Sequence, residues 1–290
     1  LFAKNGERYD LQLKGSGKTA FSRNGDGRSP LGPVIREYLI SESLHYLGIN
    51  STRSLAIVST GEDVFREKRM PGGVLTRIAS SHIRIGTFEF FSYKNDIKSL
   101  KALADYTLKR HFKNTPKKNP YKFLLKKVLK SQAELISKWM SVGFIHGVMN
   151  TDNTTISGET IDFGPCAFMD QYNPHQVFSY IDEGGRYSYI NQGKIIFWNL
   201  AKFAESLLPI LGDNTKESKK HAMECLEVFP SYFEKIWLNE MKKKIGLSKN
   251  EKEDHVILNE FFEILRTNNL DFTLSFRKLS KYLTKVSDDY

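Results

Sequence analysis

The sequence predicts an α+β fold in two lobes: a strand-containing N-terminal lobe over residues 1–95 and a mainly helical C-terminal lobe over residues 96–290. Three observations indicate this fold. The N-terminal residues alternate as in a half-buried strand, a helix follows between apolar runs, and helical periodicity dominates after about residue 96. With 290 residues, 40% of them hydrophobic, the chain can bury a substantial core.

The first lobe is expected to run strand, helix, strand. A strand is predicted over residues 7–14, because apolar and polar side chains alternate there. Its two faces carry Tyr9, Leu11 and Leu13 on one side and Asp10, Gln12 and Lys14 on the other. A helix over residues 29–47 begins at Ser29-Pro30 and ends before Gly48. Apolar runs at 54–59 and 74–79 predict further strands.

The second lobe is expected to be helical around one short hairpin. Apolar side chains recur at helical spacing over residues 97–112 and 121–142. The segments 154–156 and 160–162 flank Gly158, which predicts a hairpin that places Asp162 at a strand end. Helical periodicity returns from Gly193 onward.

Composition limits the compartment and the partners. With only Cys166 and Cys225, no disulfide framework is expected, which favours a reducing compartment: the cytoplasm, or the mitochondrial matrix in a eukaryote. No apolar run approaches the roughly 18 residues of a membrane span, so we expect a soluble protein without a membrane partner. Because the chain starts at Leu1 almost directly in a strand pattern, we expect a fragment that has lost its natural N-terminus.

The net charge of +10 raises the possibility of nucleic-acid binding. The densest basic run, however, accompanies an apolar helical stripe, which favours a solvated helix face over a nucleic-acid surface. The lysines of this run are Lys113, Lys117, Lys118, Lys122, Lys126, Lys127 and Lys130. We therefore expect no nucleic-acid partner.

The segment from His146 to Gly164 carries most of the expected chemistry. It contains the neighbours Asp152 and Asn153, followed by Asp162-Phe163-Gly164. Such oxygen ligands suit Mg²⁺, which completes its shell with substrate phosphates. These residue types are also what turns require, and Asp-Phe-Gly alone is a weak indication. Their order and spacing are typical of kinase-like enzymes, so the predicted architecture becomes a protein-kinase-like two-lobed fold.

Cations of the first lobe match that hypothesis. Lys14 can reach nucleotide phosphates from its strand, and Glu37 shares a helix face with Val34, Ser41 and Leu44, so it can point toward the sheet. A Lys-Glu pair of this kind positions the lysine in kinases, although two unrelated surface residues would look the same in the sequence.

Arg77 and Arg84 form a second pair of cations in apolar surroundings. Their seven-residue spacing aligns them on a helix or within a loop but opposes them on a strand. If they converge, the two guanidinium groups could hold a polyphosphate; the alternative is a pair of surface arginines.

Several ordered motifs together resemble the selenoprotein O family over most of the chain. They are Glu7 to Gly17, Phe21-Ser22-Arg23, Asp26-Gly27-Arg28, Ile35 to Leu39, the two-arginine segment, His146 to Asn153, Thr160 to Pro165, Gly185-Arg186-Tyr187-Ser188, Asn191-Gln192 and Trp198-Asn199-Leu200. The resemblance implies a kinase-like fold with protein adenylyltransferase activity, in which Mg²⁺ (or Mn²⁺) and ATP serve to move AMP onto Ser, Thr or Tyr hydroxyls of proteins.

The same resemblance implies roles for individual residues. Lys14 would contact phosphates and pair with Glu37, and the nucleotide site would also include Asp26, Gly27, Arg77, Arg84 and Asp162. Asp152 would accept a proton, while Asn153 and Asp162 would bind the metal. Val148 stands where ordinary kinases carry the aspartate of a His-Arg-Asp motif, which leaves Asp152 as the nearby carboxylate.

The sequence also departs from the family and leaves alternatives open. The family's glycine-rich segment before the lysine strand and its cysteine or selenocysteine near the C-terminus are not found between Leu1 and Tyr290. Residue spacing does not distinguish AMP transfer from phosphate transfer. An ordinary kinase-like phosphotransferase and a non-catalytic ATP-binding pseudokinase fragment are the competing hypotheses, with a nucleic-acid-binding module behind them.

Overall fold

The computed structural model describes residues 1–4, 6–19, 22, 24–249 and 251–288, with side chains described as far as residue 282. The chain forms two compact units. The first unit contains Leu1–Thr87 and Thr151–Gly164, and the second contains Phe88–Asn150 and Pro165–Tyr290. The α+β class predicted from the sequence is confirmed. The predicted lobe division at residues 95 and 96 stays a prediction.

An antiparallel sheet and one helix form most of the first unit. In chain order its elements are β1 (Asp10–Lys14), β2 (Ser29–Pro30), α1 (Leu31–Tyr46), β3 (Arg53–Phe65) and β4 (Arg69–Ala79). Strand β4 is central: β1 and β2 pair along one of its edges and β3 along the other. The register places Gln12 opposite Arg77 and Lys14 opposite Leu75.

Helix α1 matches the sequence prediction closely. It begins after Pro30, whose fixed φ suits a helix start, and ends at Tyr46, just before Gly48 with its φ of 74°. Its buried side chains are Val34, Glu37, Ser41 and Leu44. The prediction that Glu37 shares the sheet-facing side of the helix is thus confirmed.

Strand β1 alternates as predicted, but its apolar side chains are on the outer face. Leu11 and Leu13 are 43% and 51% exposed, whereas Gln12 and Lys14 are partly buried. The inner face has to supply partners for a buried carboxylate and a buried guanidinium. Leaving such groups unpaired costs more than exposing two leucines.

The β3–β4 hairpin is longer than the predicted runs at 54–59 and 74–79. It continues through polar residues to Phe65 and Arg69, with register shifts between Ser54 and Ala56 and between Ser59 and Asp63. Most side chains at the tip of the hairpin are exposed, so no burial selects an apolar pattern there. The sequence therefore lacks the alternation from which those strand ends could be predicted.

Helices dominate the rest of the chain. Their bounds are α2 (Ile85–Tyr93), α3 (Ile97–His111), α4 (Pro120–Ser141), α5 (Gln192–Leu207), α6 (Thr215–Leu226), α7 (Phe229–Lys244), α8 (Asp254–Thr267) and α9 (Phe272–Asp288). Two short strands, β5 (Phe144–Ile145) and β6 (Ala167–Phe168), pair antiparallel in the second unit. The predicted helices near 97–112 and 121–142 are confirmed, whereas α2 was not predicted.

Helix α4 is the centre of the second unit and packs against α3, α5, α6 and α7. Its buried face includes Leu124, Val128 and Ile136. The basic run lies mostly outside this face: Lys126, Lys127 and Lys130 are exposed, as expected for a solvated surface. Within the described residues, no helix combines the length and the apolar character needed to cross a membrane.

Candidate functional site

The first unit brings five of the predicted site residues into one charged cluster: Lys14, Glu37, Arg77, Arg84 and Asp162. The ammonium Nζ of Lys14 lies 2.6 Å from Oε2 of Glu37 and 3.2 Å from Oδ1 of Asp162. Nη2 of Arg77 also donates to Oδ1 of Asp162, at 2.7 Å, and Nη1 of Arg84 donates to Oδ2 at 2.5 Å. We call these five residues the cation cluster.

The cluster is anchored by a buried ion pair between Arg77 on β4 and Glu37 on α1. Arg77 is 1% exposed and Glu37 is 2% exposed. Nε of Arg77 donates to Oε1 of Glu37 at 2.8 Å, and Nη2 donates to the same oxygen. Nη1 donates to Oε1 of Gln12 at 2.9 Å, so all three nitrogen atoms of the guanidinium donate hydrogen bonds. A buried ion pair needs such additional hydrogen bonds, because they offset the free-energy cost of removing both charges from water.

Asp162 is held ionised by the cluster. Burial raises the pKa of its carboxyl group, but the positive charges of Arg77, Lys14 and Arg84 outweigh burial and hold the pKa well below the usual range. Its backbone has a φ of 64°, in the left-handed region that aspartate tolerates better than most residues. Three cations therefore converge on the single, negatively charged carboxylate of Asp162.

Arg84 connects this carboxylate to the predicted base. The same Nη1 atom that contacts Asp162 donates to the backbone oxygen of Asp152 at 2.7 Å. Asp152 belongs to a single 3₁₀ turn, Thr151–Asn153. Its carboxylate lies against Gly86, where a Cβ atom would overlap Oδ1. Glycine at position 86 is therefore part of what positions Asp152.

The predicted hairpin over residues 154–162 does not form as a pair of strands. Thr155 instead forms an antiparallel bridge with Arg84, and Thr160 forms a parallel bridge with Ser51. The side chain of Thr155 also donates to the backbone oxygen of Glu159 at 2.6 Å. The segment is tied to neighbouring parts of the first unit, because these two bridges engage backbone groups that a hairpin would pair with each other.

Asp26 and Gly27 make a different set of contacts. Oδ1 and Oδ2 of Asp26 accept from the guanidinium of Arg66 at 2.8 and 3.0 Å, and these hydrogen bonds lower the pKa of Asp26 to about 2. Gly27 has a φ of 69°, and a Cβ there would overlap the backbone of Gly17. None of the contacts described for this pair reaches the cation cluster. Phe21 and Arg23, in a neighbouring motif, lie outside the described residues.

His146 has a structural environment in the second unit. It is fully buried and stacks on Trp139 with ring centres 5.4 Å apart. Its backbone N–H donates to the side chain of Gln192 at 3.2 Å, and the amide of Gln192 donates to the backbone oxygen of Phe144 at 3.0 Å. Asn199 similarly donates to the oxygen of Met149 at 3.1 Å. Helix α5 thus fixes the backbone of residues 144–149.

Two residues that contact the candidate site, Gln12 and Arg36, were not predicted from the sequence. Gln12 lies two residues before Lys14 on the same strand face, so the strand alternation could have predicted that Gln12 lies beside the site. Arg36 precedes Glu37, and its Nη1 donates to the backbone oxygen of Gly164 at 2.8 Å. Nothing in the local sequence distinguishes Arg36 from a surface arginine on a helix.

The donor chemistry of Asp162 fits a divalent cation. Among the described residues, no group of three or more His, Cys, Asp or Glu side chains is arranged to hold a metal. Mg²⁺ does not need one, because one or two protein ligands and substrate phosphates suffice. A carboxylate offers about four lone-pair sites, and the cation cluster uses three of those on Asp162. One site on Oδ2 remains for a metal, whereas Asn153 as its second ligand stays a prediction.

Comparison with known proteins identifies relatives over almost the whole chain. A family model described as protein adenylyltransferase SelO matches residues 1–289. A protein nucleotidyltransferase YdiU of Halalkalibacterium halodurans is 57% identical over 278 residues, which is 95% of this chain and 56% of the relative. Proteins of the same name from Clostridium botulinum strain Eklund 17B and Anoxybacillus flavithermus are 56% and 54% identical and are covered over 58% of their lengths.

The chain thus spans less than two thirds of the length of these curated relatives. The match to the family model nevertheless includes both units and every residue of the cation cluster. Because its identities to these relatives exceed 50% over at least 95% of its length, the chain belongs to the protein adenylyltransferase SelO family.

Proposed function

We propose that this chain forms the ATP-binding and catalytic part of a protein adenylyltransferase, which moves AMP from ATP onto Ser, Thr or Tyr hydroxyls of proteins and releases pyrophosphate. The proposal includes a protein-kinase-like two-lobed fold with lobes at residues 1–95 and 96–290. The cation cluster is the observation that carries it, because three cations converge on one carboxylate in the first unit. The description of the family and the names of the relatives support nucleotide transfer.

In this proposal, the cations of the cluster bind the polyphosphate of ATP. Lys14, Arg77 and Arg84 contribute three positive charges against the two negative charges of Glu37 and Asp162. Glu37 stays paired with Arg77 because both are buried, so the exchangeable anion is Asp162. Phosphate oxygens would replace its carboxylate on Lys14 and Arg84, which keep partial exposure of 36% and 20%.

Asn153 and Asp162 would hold Mg²⁺, or Mn²⁺ in its place, and the bound ion would supply charge neutralisation on the phosphates. Asp152 would accept the proton of the attacking hydroxyl, since its carboxylate is exposed beside Gly86. Arg84 would set the distance between base and phosphates, because it bonds to the backbone of Asp152. The protein therefore contributes mainly positioning and electrostatic stabilisation.

Transfer of label from ATP tests the choice of AMP. A protein substrate incubated with the enzyme and α-labelled ATP should become labelled, and γ-labelled ATP should leave it unlabelled. The full-length Halalkalibacterium relative serves as the reference beside this chain. Transfer from the γ position instead would establish the phosphotransferase alternative.

A pair of variants tests the metal assignment. Asp162→Ala should abolish transfer in the presence of Mg²⁺, whereas Asp213→Ala, at an exposed aspartate of the second unit, should leave it unchanged. Equal transfer by the two variants would remove Asp162 from the mechanism and favour a different metal ligand.

Cytoplasmic localisation of the protein stays a prediction.

A further inference from the structure

Two sequence motifs that the proposed reaction does not use meet on the second unit: Gly185-Arg186-Tyr187-Ser188 and Trp198-Asn199-Leu200. Cζ of Arg186 lies 5.0 Å from the ring centre of Trp198 and 5.8 Å from that of Tyr187. Nζ of Lys202 lies 5.7 Å from the same Trp198 ring. These four residues, Arg186, Tyr187, Trp198 and Lys202, are called the arginine–tryptophan cluster.

The cluster lies at the surface, in a part of the chain with other exposed apolar side chains. Trp198 is 42% exposed and lies on helix α5, whose other face is buried. Nearby in the sequence, Tyr180, Ile181 and Ile190 are 91%, 70% and 52% exposed. Trp198 itself leaves part of an aromatic ring open to a partner, and aromatic residues are enriched at protein interfaces.

The loop that presents Arg186 is held in place by specific hydrogen bonds. Asp182 is 9% exposed, and its carboxylate accepts from the backbone N–H groups of Arg186 and Tyr187 at 2.8 and 2.7 Å. Asn191 donates to the backbone oxygen of Gly185 at 2.8 Å. Gly185 has a φ of 64°, a conformation that glycine adopts without strain. A partner would therefore meet a preorganised surface and lose little entropy in ordering it.

The charge of Arg186 indicates the chemistry of that partner. Within the described part of the chain, no carboxylate lies within ion-pair distance of its guanidinium, whereas Lys202 pairs with Glu205 at 2.7 Å. A guanidinium that lies over aromatic rings without a carboxylate partner can still form bidentate hydrogen bonds to a carboxylate. The complementary group is therefore an anion next to an apolar side chain.

We propose that the arginine–tryptophan cluster docks an acidic segment of the protein substrate. A carboxylate of that segment pairs with Arg186, and a neighbouring apolar or aromatic side chain packs on Trp198. The inference rests on the proposed function only in taking the partner to be a protein substrate. Arg, Trp and Tyr are also the residue types that contribute most binding energy at protein interfaces.

Direct binding tests this surface without ATP. The probes are a fluorescent peptide with several Glu residues around a central Phe, the same peptide with Gln in place of Glu, and a single-stranded RNA oligonucleotide. The acidic peptide should bind the chain at least tenfold more tightly than the Gln peptide, and added salt should weaken that binding. The oligonucleotide should bind more weakly than the acidic peptide.

Variants assign the binding to the cluster. Arg186→Gln and Trp198→Leu should each weaken binding of the acidic peptide at least fivefold. The matched control is Arg266→Gln, which alters an exposed arginine of the second unit that already pairs with Glu263. A thermal unfolding midpoint unchanged by Arg186→Gln excludes a loss of fold as the cause.

Three outcomes would overturn the inference: no binding of the acidic peptide, equal binding by Arg186→Gln and the unaltered chain, or tighter Arg186-dependent binding of the oligonucleotide. The last would make the cluster a nucleic-acid surface. Because these measurements omit ATP, a failure of AMP transfer leaves a positive peptide result intact. Conversely, AMP transfer by a chain that does not bind the peptide would remove only this inference.

Discussion

The cation cluster of the first unit and the arginine–tryptophan cluster of the second unit use arginine in opposite ways. Arg77 is buried, and its guanidinium donates to Glu37, Asp162 and Gln12. Arg186 is exposed and is held against two rings, away from any described carboxylate. A ligand of the first cluster must displace an internal anion, whereas a ligand of the second meets donors that are already available.

The same side chain therefore carries different energetic costs in the two places. At the cation cluster, removal of Glu37 leaves the buried Arg77 with Asp162 as its remaining carboxylate partner, so a desolvated charge loses much of its compensation. At the exposed cluster, the water that solvates Arg186 replaces a lost contact cheaply.

The largest effect is expected when the buried pair is broken. Glu37→Gln leaves Arg77 and Lys14 without their shared carboxylate and should lower the free energy of unfolding by about 3–5 kcal/mol. Denaturant titration measures this change. The control Glu62→Gln removes the carboxylate of an exposed pair with Arg28 and should cost about 0–1 kcal/mol. Equal losses in the two variants would contradict the burial argument.

The next effect concerns the position of the proposed base. Gly86→Ala places a Cβ atom against Oδ1 of Asp152 and should displace this carboxylate. Misplacement of a catalytic group by about 1 Å can cost about 100-fold in rate, so we expect a loss of that order in AMP transfer. Gly32→Ala is the matched control, because no atom lies within 4 Å of the added Cβ in helix α1. A normal rate in Gly86→Ala would contradict the positioning of Asp152 by Gly86.

A third variant tests whether Asp162 competes with phosphate. Asp162→Asn removes the anion on which Lys14, Arg77 and Arg84 converge, so metal-free ATP should bind about tenfold more tightly, or about 1.4 kcal/mol. Calorimetry in the presence of a chelator measures the affinity. The same variant should lose Mg²⁺-dependent transfer. If its affinity for metal-free ATP falls or stays constant, the cluster does not hold the phosphates.

The smallest effect is a pH dependence of stability that comes from Asp162. Its pKa in the folded protein lies well below the unfolded value of about 3.9, so its stabilisation is fully present above that value and is lost as the pH falls toward the folded pKa. Below about pH 4, the difference in unfolding free energy between the unaltered chain and Asp162→Asn should shrink by up to about 1.4 kcal/mol per pH unit. A difference independent of pH from 6 to 3 would contradict this linkage.

Local sequence information predicted much of the first unit. The spacing of Val34, Glu37, Ser41 and Leu44 determined the buried face of α1, since a helix repeats every 3.6 residues. The alternation of β1 likewise placed Lys14 and Gln12 on one side of the strand. The alternation alone did not determine which side faces inward. Burial depends on the neighbouring elements, and here Gln12 and Lys14 face inward because they contact Arg77 on β4 and Glu37 on α1.

Other features depended on contacts between distant parts of the chain. The seven-residue spacing of Arg77 and Arg84 would oppose them on a continuous strand, but β4 ends at Ala79 and the chain turns, so both reach Asp162. The segment 154–162 found partners at Ser51 and Arg84 instead of forming its own hairpin. Local propensity cannot specify such choices, because each depends on where a remote backbone group has been placed.

The helix faces, the strand alternation and the order of Asp152, Asn153 and Asp162 could be read from the amino-acid sequence, because they follow from backbone periodicity and residue chemistry. The convergence of three cations on Asp162 and the position of Arg186 over the Trp198 ring depend instead on the folded chain. The first depends on a sheet, a helix and a loop that meet, and the second on a loop that folds back onto α5. Long-range packing selected both arrangements, and in the cation cluster it also had to pair the buried charges.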